Sequence, residues 1–261
     1  MWKQKIWHIF EFIRYKIQAK HRKGHGVHSP FVFAFINDIL EEKQPYYCFE
    51  SIENTRKELL TNTTQIFVED FGTGSSSKRA ISTIAKTSLK NRKFTQLIFR
   101  IVAHYKPTNI IELGTSLGIT TSYIASANKQ ARIVSIEGSK EIAKVAKNNF
   151  NQLNISNIEL IVGDISSQLP SVLANNKPID MVFFDANHKK QPTLSYYMQC
   201  IEQIGDKAIF IFDDIYWSKE MKEAWQEIRA DKRIQVSIDL FSIGIAFIHP
   251  ELKKKHYTIN Y

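Results

Sequence analysis

Five short clusters that pair carboxylates with small or polar residues recur from residue 112 onward. They are Glu112-Leu113-Gly114-Thr115-Ser116-Leu117-Gly118, Glu137-Gly138, Gly163-Asp164, Asp185-Ala186-Asn187-His188 and Asp213-Asp214. Gly114 and Gly118 let backbone approach a ligand closely and turn directly into a helix, whose first N–H groups suit a carboxylate. Glu137 stands 19 residues beyond Gly118, the spacing at which an acidic side chain accepts from both hydroxyls of a ribose. Asp164 is suited to accept from the exocyclic amino group of a base. His188 offers a neutral imidazole, with a reference pKa of about 6.5, for proton removal near pH 7.

The elements that must position these residues follow from periodicity. Apolar strands are expected at Asn109–Glu112, Arg132–Glu137, Ile158–Val162, Asp180–Asp185 and Ala208–Asp213. Amphipathic helices are expected near Gln96–Val102, 139–153, 192–203 and 218–230. This alternation predicts a Rossmann-like, doubly wound α/β fold with a mostly parallel sheet covered on both faces. Ile234–Leu240 and Gly244–Ile248, joined by a short turn, must pair antiparallel and complete seven strands. Every cluster then falls at the carboxyl end of a strand, where such sheets bind ligands.

With the clusters placed at strand ends, the chain resembles the class I S-adenosylmethionine (SAM)-dependent methyltransferases over about residues 95–248. The finer likeness is to the catechol and caffeoyl-CoA type O-methyltransferases, through the helix Gln96–Val102, Phe184-Asp185-Ala186 and Asp213-Asp214-Ile215-Tyr216-Trp217. The resemblance implies that Glu112, Gly114, Thr115, Ser116 and Gly118 line the methionine moiety. It puts Glu137 and Gly138 at the ribose, and Asp164 with Ile165 at the adenine. Asp185, which also counts among the cofactor and catalytic residues, would join Asp213 and Asp214 in a divalent-metal triad holding Mg²⁺. Asp214 stands where the family has Asn, and His188 stands near its lysine base. Two other readings remain: Asp213-Asp214 as a solvated strand end before a helix capped by Ser218, and His188 as a plain loop histidine. A nicotinamide enzyme calls for G-x-G-x-x-G, and Ser116 occupies the middle glycine's place.

The implied activity is O-methylation of a small or lipid-like acceptor. RNA methylation is the rival among enzymes and SAM binding without catalysis the rival outside them. Nucleobase N-methylation often uses an Asn/Asp-Pro-Pro-aromatic loop, whereas this chain has Asp185-Ala186-Asn187-His188.

Residues 91–261 are read as the SAM-binding domain and 1–90 as a helical N-terminal extension that caps the acceptor site or serves as its lid. Hydrophobic residues make up 43% of the 261, enough for a sizeable core, and no apolar run approaches the ~18 residues of a membrane span. Cys48 and Cys200 read as free cytosolic thiols, and the expected location is cytoplasmic or peripheral to a membrane.

The formal charge of +9 sits at the ends. Lys3, Lys5, Arg14, Lys16, Lys20, Arg22 and Lys23 face Glu11 alone in residues 1–26, while Lys253, Lys254 and Lys255 face Glu251 in the last 13. The remainder holds 25 basic against 24 acidic residues, which argues against nucleic acid running across the whole protein. Trp2, Ile6, Ile9, Phe10, Ile13 and Ile17 recur at helical spacing, a basic amphipathic helix that fits a docked core element, a homodimer element or a membrane-surface anchor. His21, His25 and His28 are separated by glycines that disrupt any helix aligning them. Asp70-Phe71-Gly72-Thr73-Gly74, within a stretch Glu69–Ser77 read as loop, mimics the first glycine loop and suits a lid over the acceptor or an ordinary connector.

Overall fold

The computed structural model describes residues 2–20, 24–70 and 75–261. Two compact units divide the chain: residues 1–43 with 177–261, and residues 44–176.

The first unit opens with α1 (Trp2–Gln18) and α2 (Pro30–Phe35). Ser29 caps α2 by accepting the Val32 N–H, and Pro30 occupies the first helical position, where a missing N–H costs nothing. Along α1, Glu11 and Tyr15 are buried, and Tyr15 Oη donates to the Ile259 carbonyl (2.5 Å).

The second unit begins with α3 (Phe49–Thr61) and an antiparallel hairpin, β1 (Gln65–Asp70) with β2 (Ser75–Ala80). The loop expected at Glu69–Ser77 is therefore strand at both ends, while residues 71–74 of the glycine-loop mimic, like His21, lie outside the described residues. Ile66 and Val68 turn inward and Phe67 outward, the period of a strand with one buried face. Ser75–Lys78 has no apolar signal of its own and is ordered through its ladder to β1.

Next come α4 (Ile81–Ser88), α5 (Arg92–Tyr105), β3 (Asn109–Leu113), α6 (Ile119–Ala127), β4 (Arg132–Glu137), α7 (Lys140–Gln152), β5 (Ile158–Val162) and α8 (Ile165–Asn175). Strand β4 pairs parallel with β3 on one side and β5 on the other. Phe49, Phe99 and Tyr123 pack edge-on at centroid distances of 5.0 to 6.4 Å, joining α3, α5 and α6 in one core.

The chain then completes the first unit with β6 (Ile179–Phe184), α9 (Lys190–Ile201), β7 (Ile204–Asp213), α10 (Lys219–Ala230), β8 (Val236–Asp239), β9 (Ile243–Ile248) and β10 (Lys255–Thr258). Their order is β10-β8-β9-β7-β6. The expected antiparallel pair is β8 with β9. The Rossmann-like α/β alternation holds, but among the described residues the strands beside the hairpin number eight, not seven. The extra one is β10, hidden in a lysine-rich tail; it pairs parallel with β8 and buries Tyr257. Among the described residues, no helix is long and apolar enough to cross a membrane.

Candidate functional site

The loop from β3 to α6 is built on left-handed backbone: Gly114 has φ 99°, Ser116 φ 49° and Gly118 φ 80°. Gly118 has a second reason to be glycine. A Cβ there would lie 2.6 Å from the Phe150 ring and 3.1 Å from Ala146 Cβ, so the loop rests directly on α7. For Ser116 the left-handed region costs on the order of 1–2 kcal/mol, and its N–H donates to Glu137 Oε2 at 2.8 Å. The other Glu137 oxygen, Oε1, accepts the Ser139 N–H at 2.9 Å. Burial pushes this carboxyl's pKa upward, and those two N–H donors, together with Gly138 N–H, pull it back.

Glu112 is fully buried at the carboxyl end of β3. Its Oε2 accepts from Thr121 Oγ1 (2.6 Å) and Ser135 Oγ (2.5 Å), and Ser135 Oγ also lies 2.5 Å from Thr115 Oγ1. Oε1 is buried with no hydrogen-bond partner. Burial raises this carboxyl to about 7; the two hydroxyls lower it, and the charge of Glu137 adds to the rise. An unpaired buried acceptor is costly, and a donor brought by a ligand would remove that cost.

Asp164 ends the turn after β5 and caps α8: its Oδ2 accepts from the Ser167 N–H (3.1 Å) and Oγ (3.3 Å). Ile165 beside it is 8% exposed, and the Gly163 N–H donates to the Glu137 carbonyl (2.9 Å). The ends of β3, β4 and β5 thus share one hydrogen-bonded rim. Ser135 and Thr121 are the members the sequence reading missed. The available signal was one serine inside an otherwise apolar strand, Ile133-Val134-Ser135-Ile136.

The other expected residues lie in the unit of residues 177–261. Asn187 (φ 62°) and His188 (φ 36°) are both left-handed, and Asn187 Nδ2 donates to Tyr196 Oη at 2.9 Å. His188 Nε2 lies 3.6 Å from Asp185 Oδ1, within reach of charge attraction but beyond a hydrogen bond. Phe184 and Phe212 stack at 4.4 Å, holding the ends of β6 and β7 side by side. Asp213 is 4% exposed as the last residue of β7, and Asp214 follows in the left-handed region, its N–H donating to the Ser242 carbonyl.

The expected metal triad needs correction. Among the described residues, no three His, Cys, Asp or Glu side chains are gathered to hold a metal ion. Asp185 follows β6, Asp213 ends β7, and Asp214 lies just beyond it in the left-handed region. The Ser218 cap, by contrast, is present: its Oγ accepts the Met221 N–H at 3.1 Å. Helix α1 braces the loop after β7, with Gln4 Nε2 donating to the Trp217 carbonyl (3.2 Å) and His8 Nδ1 to that of Tyr216 (3.0 Å).

A family model described as a methyltransferase domain matches residues 111–215, from inside β3 through the turn after β7. Over these residues, less than half of its length, the chain is similar to a methyltransferase domain. It is similar to the O-methyltransferase imqG of Aspergillus flavus, with 33% identity over 111 residues, 40% of this chain and 44% of that one. It is also similar to a tRNA (guanine-N(7)-)-methyltransferase of Mycoplasma mobile, 39% identical over 70 residues that cover 27% and 34% of the two chains. The matched region thus spans less than half the length of either relative. A solved O-methyltransferase from Bacillus cereus in complex with SAH superposes with a TM-score of 0.58 at 16% identity, covering 90% of this chain and 99% of that one. That likeness establishes a shared fold.

Proposed function

We propose that this chain transfers a methyl group from SAM to an oxygen of a small acceptor. One observation carries the cofactor half: the fully buried Glu112, with an unpaired Oε1, under a glycine-bearing turn whose backbone is held by Glu137. A buried carboxylate with one oxygen unsatisfied is complementary to an ammonium group, and SAM carries one.

In this reading Glu112, Gly114, Thr115, Ser116 and Gly118 hold the methionine end. Glu137 accepts from the ribose hydroxyls with the lone pairs that its backbone donors leave, with Gly138 beside it. Asp164 spends Oδ2 on the helix cap, and its other oxygen serves the adenine amino group next to Ile165. Bound SAM supplies a methyl on a sulfonium sulfur, so attack by the acceptor oxygen forms a C–O bond as the C–S bond breaks. His188 Nε2 takes the acceptor's hydroxyl proton, and Asp185 stabilises the imidazolium that results. Orientation of the acceptor contributes about 7–11 kcal/mol to such a displacement, and a positioned base about 10²–10⁴-fold. Because the three aspartates do not form a common ligand set, no step is assigned to Mg²⁺.

Calorimetric titration with SAM, followed by transfer of labelled methyl to phenolic, catecholic and fatty-acyl acceptors and to RNA, tests both halves. Saturable binding with transfer to an oxygen is expected. No binding sinks the cofactor half, and transfer to RNA alone sinks the acceptor half.

A further inference from the structure

Helix α1 is bound along one side and bare along the other. On the bound side Glu11 is 6% exposed and pairs with Lys222 at 2.6 Å, and Tyr15 is 3% exposed. On the bare side Ile6, Ile9, Phe10, Ile13 and Ile17 are 49, 60, 63, 52 and 76% exposed. Spaced three and four residues apart, they form one continuous stripe. Phe12 adds a sixth such side chain, so α1 carries half of the twelve large exposed hydrophobics among the described residues. An apolar surface so concentrated marks an interaction face.

The charges say which kind. Lys5 and Lys16 flank the stripe on one side and Arg14 on the other, all exposed. The helix's only acid, Glu11, is turned inward against Lys222. An apolar band with cationic borders and no carboxylate complements a surface that is anionic outside and hydrocarbon beneath. A second copy would set the same cations against each other with no carboxylate between them.

We propose that α1 lies in the plane of an anionic lipid bilayer surface, with its isoleucines and Phe10 in the acyl boundary and Lys5, Arg14 and Lys16 at the level of the phosphates. The proposal stands whatever reaction the chain performs.

Cosedimentation of the full chain with vesicles of phosphatidylcholine, alone or mixed with phosphatidylglycerol, tests it. Binding at least about tenfold tighter to the anionic vesicles is expected, falling towards the neutral level near about 0.5 M salt. The double variant Ile9→Asp/Phe10→Asp changes exposed positions only and should lose binding while melting at the native temperature. Lys5→Glu/Arg14→Glu, which leaves the apolar stripe intact, should also bind anionic vesicles at least tenfold more weakly. The proposal falls if the native chain ignores anionic vesicles or either variant still binds them as the native chain does. It also falls if sedimentation velocity shows a dimer that the first variant dissociates while vesicles stay unbound.

Discussion

Glu137 Oε2 accepts the backbone N–H of Ser116 at 2.8 Å, so the acid that ends β4 clamps the strained centre of the turn that follows β3. The same carboxylate is the proposed ribose acceptor, and cofactor affinity and loop geometry are therefore coupled through one side chain. Glu137→Ala should weaken SAM binding by at least ~2 kcal/mol, the scale for a buried charged hydrogen-bonding group. Calorimetry on a variant shown by circular dichroism to be folded checks this, and unchanged affinity would remove the assignment.

The turn also rests on Gly118. Gly118→Ala combines a left-handed φ with a Cβ 2.6 Å from Phe150, and should cost about 2 kcal/mol or more of stability. Denaturant melts measure it. Phe150→Leu should cost less stability in the Gly118→Ala background than in the native chain, because it frees space beneath the loop; an equal cost would mean that backbone strain, not the clash, dominates.

Protonation of Glu112 yields a pH signature. Its carboxyl is raised from 4.5 to about 7 by burial, so between those values the unfolded chain has lost a proton that the folded chain retains. Stability of the ligand-free protein should therefore fall as pH rises from about 4.5 to about 7 and change little from this group above that. Glu137 is shifted in the same direction and adds to the fall. Glu112→Gln should flatten the thermal-melt profile. In the native chain SAM affinity should rise through about pH 7 as the carboxylate forms, and an equal slope in Glu112→Gln would show that another group is responsible.

Replacement of the proposed base separates chemistry from binding. His188→Ala should lower kcat by about 10²–10⁴-fold while the calorimetric affinity for SAM stays within about twofold, since no role at the cofactor is assigned to it. Steady-state kinetics and calorimetry on the native chain and the variant measure the two. A variant with native kcat would return His188 to the role of a loop histidine.

Chelation tests the carboxylates at the ends of β6 and β7. Because Asp185, Asp213 and Asp214 do not gather into a ligand set among the described residues, activity and melting temperature should be unchanged by EDTA and by added Mg²⁺. Asp214→Asn should be tolerated on the same grounds. Loss with EDTA and rescue by Mg²⁺ would overturn this.

Much of the domain is legible in the residues themselves. The alternation of apolar strands with amphipathic helices, the caps at Ser29 and Ser218, and the glycines at 114 and 118 are local properties, written in periodicity and backbone preference. The acids at strand ends follow from the same reading, because the strand boundary determines which residue sits at the rim. The sequence by itself therefore determined the α/β alternation and the order of the candidate residues along it.

Tertiary structure decided what depends on partners far apart in the chain. Strand β10 is a strand because β8 offers it a ladder, and β2 because β1 does; neither has an apolar pattern to announce it. Glu112 reads as one more acid at a strand end, yet its raised pKa comes from complete burial and from Ser135 and Thr121, which the pairing of β3 with β4 and the start of α6 bring to it. Convergence of three aspartates looked natural from spacing alone, but among the described residues no three such side chains are gathered to hold a metal ion. The periodicity of α1 marked an apolar face without saying whether it turns inward. Burial of Glu11 and Tyr15 on the opposite side decides that, since a helix docked along those residues must leave Ile6, Phe10 and Ile17 in solvent.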